Sequence, residues 1–124
     1  DTSQAMINRV SGFLEYWSLH SPAKWEIAQD IYLNGGNVEK AQSDAKKLID
    51  QHENLKGIFG CNNTSTIGIA GELLEENRKD IVLVGFDMAD ITVQIFKIRI
   101  IFAGTLMQRR IKWDILVLLL YMIL

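Results

Sequence analysis

Two short β-branched runs constrain this chain most: Lys56-Gly57-Ile58-Phe59-Gly60 and Asp80-Ile81-Val82-Leu83-Val84-Gly85-Phe86. Each stops at hydrogen-bonding side chains, Cys61-Asn62-Asn63 after the first and Asp87 after the second. The carboxyl ends of two neighbouring strands then share one polar rim, and in open α/β sheets that rim is where ligands bind.

The rest of the chain supplies the elements such a sheet needs. Apolar positions Met6, Val10, Phe13, Leu14 and Trp17 recur at helical spacing, which predicts an amphipathic helix over residues 4–19 with Ser3 as its cap. Residues 25–33 read as a strand, with Ile27, Ile31 and Leu33 apolar. Asn34-Gly35-Gly36-Asn37 is a turn of residues that tolerate positive backbone angles. A second helix is expected over 38–52, capped by Asn37 and presenting Val38, Ala41, Ala45, Leu48 and Ile49 on one face. The first signature strand, 55–60, leads into a helix reaching about residue 77, with Glu72, Glu75 and Glu76 on its polar side. After Asp87 a short helix over 90–97 and a strand over 98–107 are expected. This alternation implies a parallel sheet covered on both faces.

Composition narrows the function. A chain of 124 residues with 48% hydrophobic content supports a single domain with a real core. Its net charge of -2 gives no electrostatic footprint for nucleic acid. The one cysteine, Cys61, excludes an internal disulfide and so points to no oxidising compartment. The chain begins without the basic, apolar and small-residue regions of a signal peptide, so either it is cytoplasmic or its beginning has been removed. The apolar end, 115–124, has ten residues, whereas a membrane-spanning helix needs roughly 20.

Catalytic chemistry finds no support. His20 and His52 stand in no metal-ligand spacing, and no base is placed to activate Cys61. The Gly-Cys-Asn-Asn-Thr-Ser-Thr loop lacks the lysine of a P-loop, and no glycine-rich dinucleotide fingerprint lies between strand and helix. No cofactor is expected. Asn62, Asn63 and Asp87 each suit a helix cap. Their convergence with Phe86 suits a polyhydroxylated ligand: amide and carboxylate groups can bond paired hydroxyls, and an aromatic face can pack on the apolar side of a sugar ring.

Several stretches carry a resemblance in order and spacing over most of residues 3–108. They are Arg9-Val10-Ser11-Gly12-Phe13, Asn34-Gly35-Gly36-Asn37-Val38-Glu39-Lys40-Ala41, and the segments 55–68, 81–87 and 102–108. The chain resembles the carboxyl-terminal lobe of type I periplasmic sugar-binding proteins, the ribose- and galactose-binding group. That fold is shared by effector domains of lactose-repressor-type regulators. The resemblance implies a three-layer, Rossmann-like α/β domain with a mainly parallel sheet, and makes residues 1–124 a single partial domain. It also implies site roles. Arg9 would donate to sugar hydroxyls, Asn62 would be the asparagine at the end of its strand, and Asp87 would accept from two hydroxyls. Phe86 would be the aromatic neighbour, and Gln108 a ligand contact beside the interlobe hinge.

The expected function is therefore non-catalytic sugar capture by one lobe of an ABC-type importer's binding protein. The expected partners are a sugar, the missing amino-terminal lobe and a membrane permease, with the parent protein periplasmic or extracellular and membrane-associated. The alternative is the effector domain of a lactose-repressor-type regulator in the cytoplasm. An enzyme of Rossmann-like fold is the third class, and it lacks both fingerprint and nucleophile. An incomplete sheet leaves unpaired backbone groups, so self-association or packing against the absent lobe is expected in preference to a monomer.

Overall fold

The computed structural model describes residues 3–21, 23–24, 26–28 and 32–86, and the backbone of 102–106. Helix α1 (Gln4–His20) comes first, then α2 (Val38–Gln51), strand β1 (Gly57–Gly60), α3 (Asn63–Glu75), β2 (Val82–Phe86) and β3 (Phe102–Leu106). Each helix starts where a side chain can satisfy its first amides. Ser3 accepts from Met6 N, Asn37 from Lys40 N at 2.6 Å and Asn62 from Ser65 N at 2.8 Å. Helix α3 ends in a Schellman closure: Asn77 takes φ +52°, and Arg78 N donates to Leu73 O at 2.9 Å.

The strands form a parallel sheet in the order β1-β2-β3, as the alternation of elements predicts. Side chains alternate across it. Ile58 and its register partner Leu83 face α2 and α3, where Ala45, Ile49, Ile69, Ala70 and Leu73 complete a buried cluster. Phe59 faces the other way, onto Phe13 of α1. Thus α2 and α3 cover one face and α1 the other, a three-layer α/β arrangement. The expected helix over 90–97 and the apolar end 115–124 lie outside the described residues.

The two layers differ in tightness. No residue of α1 is fully buried, and Leu19 is 72% exposed. A cleft of about 1140 Å³ is bordered by α1, α2 and β1, with Phe13, Leu14, Trp17, Leu48, Ile58 and Phe59 among its lining.

Two expectations are corrected here. The segment 25–33 reads as a strand, yet its described residues, 26–28 and 32–33, form no regular structure. The rest of the segment lies outside the described residues, and Tyr32 donates its hydroxyl to Gln51 Oε1 at the end of α2 at 3.1 Å. Glu72 shares a face of α3 with Glu75 and Glu76, but that face packs on α2, where Gln42 and Lys46 bond Glu75 and Glu76, and Glu72 is buried there at 4% exposure instead of lying on a solvated side.

Burial pushes the Glu72 carboxyl above the ordinary range; a hydrogen bond from Gln42 opposes this, and Glu75 and Glu76 add like charge. Lys46 of α2 is engaged nearby by Glu76 at 2.7 Å. A carboxyl raised in the folded state adds stability that is complete below its unfolded value and is lost as pH rises through its folded value. Glu72→Gln should therefore raise the melting temperature more at neutral pH than at a pH below the ordinary glutamate value of 4.5, in thermal scans. An equal effect at both would contradict this placement of Glu72.

Candidate functional site

The carboxyl ends of β1 and β2 meet at one rim, and α1 delivers an arginine to it. Phe13 stacks on Phe59 with ring centroids 4.5 Å apart and planes 6° from parallel. Phe59 lies opposite Val84, so Phe86 stands on the same face about 7 Å further along its strand. Arg9 precedes Phe13 by four residues, about 6 Å along a helix. The two spacings coincide when α1 runs antiparallel to the strands, and Arg9 then arrives over Phe86. Its Cζ lies 4.2 Å from the Phe86 ring centroid, and its Nη1 donates to Cys61 O at 3.0 Å.

Asn62 follows Cys61 and caps α3, its Oδ1 accepting from Ser65 N. The first turn of α3 is tied to both strands by Thr66, which is fully buried. Its hydroxyl donates to Asn62 O at 2.7 Å and accepts from Phe86 N at 3.2 Å. Glycine makes this approach possible: a Cβ at Gly85 would collide with the Thr66 side chain. Asn34, in the turn before α2, braces the same helix end by donating to Ser65 Oγ at 2.7 Å.

Of the five residues singled out in the sequence, Arg9, Asn62 and Phe86 are therefore brought together at the rim. Asp87 and Gln108 lie outside the described residues. The strands leading to them, β2 ending at Phe86 and β3 at Leu106, are paired in register at their ends. Sequence reasoning missed Thr66 and the Cys61 carbonyl. A threonine in a first helical turn resembles any capping residue, and a main-chain acceptor leaves no trace in composition.

The chemistry available is binding. Arg9 is a permanent cation whose planar guanidinium offers five N–H donors, one used on Cys61. Among the described residues no group of three His, Cys, Asp or Glu could hold a metal, and no helix is long and apolar enough to cross a membrane.

A family model described as "Periplasmic binding protein domain" matches residues 1–111. No match to a curated protein sequence emerges. Solved structures that share the fold include the following. An ABC transporter solute-binding protein from Agrobacterium vitis with bound D-fucose has a TM-score of 0.72 and 26% identity, over 80% of this chain and 33% of its own. A sugar-binding protein of a sugar ABC transporter from Bacillus halodurans has a TM-score of 0.69 and 25% identity, over 77% and 32%. A second Agrobacterium vitis solute-binding protein, bound with alpha-D-tagatopyranose, has a TM-score of 0.69 and 22% identity, over 78% and 32%. This chain thus spans about a third of the length of the structures it matches. Family and neighbours alike are solute-binding proteins and not enzymes.

Proposed function

We propose, since this chain belongs to the periplasmic binding protein domain family, that it is one lobe of a sugar-binding protein serving an ABC-type importer. The observation that carries this reading is the placement of Arg9 at the shared strand ends, held by Cys61 O beside Asn62. Fixed donors at a polar rim suit the hydroxyls of a sugar, and two of the solved neighbours hold monosaccharides. Arg9 and Asn62 donate to ring hydroxyls, Asp87 accepts from a hydroxyl pair, and Gln108 contacts the ligand beside the hinge. Phe86 is their aromatic neighbour. Residues 1–124 are a partial domain, the carboxyl-terminal lobe.

In the whole protein the sugar bridges two lobes and draws them closed, because it binds the closed form better than the open one. The membrane permease recognises that closed form, at the periplasmic or extracellular side. The transporter names of the three neighbours favour this reading over a regulator's effector domain.

With one wall present, half of the contacts and the water-excluding lid are missing, so affinity is low. Titration calorimetry of the chain with D-fucose, D-tagatose and pentoses should show no binding at micromolar concentration. Micromolar or tighter binding would contradict the half-site.

A further inference from the structure

We propose that Phe86 is a positioning residue for Arg9 and not a plate for the ligand ring. The inference rests on the sugar-lobe reading for its consequence, but the placement itself stands on geometry. Phe86 is 6% exposed, and the Arg9 guanidinium occupies one face of its ring at 4.2 Å. Phe59 meets the ring edge-on, with centroids 6.0 Å apart and planes at 71°. Its main chain is fixed by the buried Thr66 hydroxyl, which Phe86 N bonds at 3.2 Å. A ring held in this way has no open face left for a pyranose on the Arg9 side.

What it offers is its negative quadrupole, directed at a cation. Arginine has a long side chain with several rotors, and a ligand that had to order it would bind more weakly. Two contacts remove that freedom before any ligand arrives: Phe86 holds the guanidinium plane, and Cys61 O sets its rotation in the plane. The remaining N–H donors are then held at the rim by an arginine anchored on the residue before Asn62. The Phe86 ring thus acts on affinity through Arg9.

The test uses the full chain labelled at arginine and is read by NMR. In the wild type, Arg9 Hε should show an upfield ring-current shift and a nuclear Overhauser effect to the Phe86 ring protons. Absence of that effect in the wild type overturns the proposal without any substitution. Phe86→Tyr should keep the shift and Phe86→Leu should abolish it, and an unmoved Arg9 Hε in Phe86→Leu overturns it too. D-fucose titrations of Phe86→Leu, Arg9→Lys and the double variant read the consequence. Phe86→Leu should weaken the response roughly 3- to 30-fold in the native background and leave it unchanged in Arg9→Lys. An equal loss in both backgrounds would mean that the ring touches the sugar itself, against the proposal. A stack that is present with no sugar response in any variant sinks the sugar reading alone and leaves Phe86 as the positioner of Arg9.

Discussion

Leu73→Ala should cost about 2–5 kcal/mol of folding stability, the range for removing a buried leucine from a core that cannot collapse. Leu73 is 1% exposed and is packed among Ile49, Ile58, Ile69, Ile81 and Leu83, where α3 meets α2 and the sheet. Domains of this size hold only about 5–15 kcal/mol in total, so a large share of the stability is at stake. A drop in melting temperature of roughly 10 °C is expected. Leu19→Ala on α1 removes the same atoms from a side chain that is 72% exposed, and should change stability by less than about 0.5 kcal/mol. The contrast measures the asymmetry of the fold, in which the α2 and α3 layer is the foundation. Equal losses at the two positions in denaturant melts would contradict it.

Gly68→Val should be at least as damaging, for the opposite physical reason. An added Cβ at Gly68 would lie 2.5 Å from Ala41 Cβ and 2.8 Å from both Gln42 N and Val38 O, so it meets the backbone of α2. Replacing a helical glycine removes an entropic penalty of up to about 1 kcal/mol. That gain is too small here, because overpacking against atoms that cannot rotate away costs about 1–3 kcal/mol or more. With three added carbons the net loss should reach about 2 kcal/mol or more, with α3 pushed off α2. Gly71 provides the control. Its added Cβ would meet only the Gln42 side chain, at 3.3 Å, so Gly71→Ala should be neutral or stabilising. Because α3 carries Asn62 at its cap and Thr66 in its first turn, Gly68→Val should also disturb the rim. Gly71→Ala should leave it intact.

Local signals in the chain account for most of this architecture. Ser3 and Asn37 announce their helices because a short oxygen-bearing side chain before an apolar periodic run satisfies free amides. The apolar runs ending at Gly60 and Phe86 announce parallel strands, because both faces of such a sheet are covered. In the segment 25–33 the apolar alternation is real, but strand propensity depends on packing and pairing with neighbours, and the described residues, 26–28 and 32–33, pair with no strand. Glu72 misled because helical spacing groups it with Glu75 and Glu76 but does not tell that this face packs on α2 and buries its first member. At the site, Asn62 and Phe86 were legible as the ends of strands. Arg9 was not, since nothing local distinguishes an arginine on a surface helix; it came from the resemblance alone. The role of Phe86 was beyond the sequence, because it depends on which side chain covers the ring.

The measurement that tests the central claim most directly is a D-fucose titration of the chain, followed by NMR. One wall of a sugar cleft should bind with a dissociation constant on the order of millimolar. The shifts should gather at Arg9, Asn62, Phe86 and the residues that follow β2 and β3, leaving Leu73 and the far ends of the strands unmoved. Silence at Arg9 and Asn62 at saturating sugar, or shifts gathered along the apolar cleft bordered by α1, α2 and β1, would contradict a sugar site at this rim.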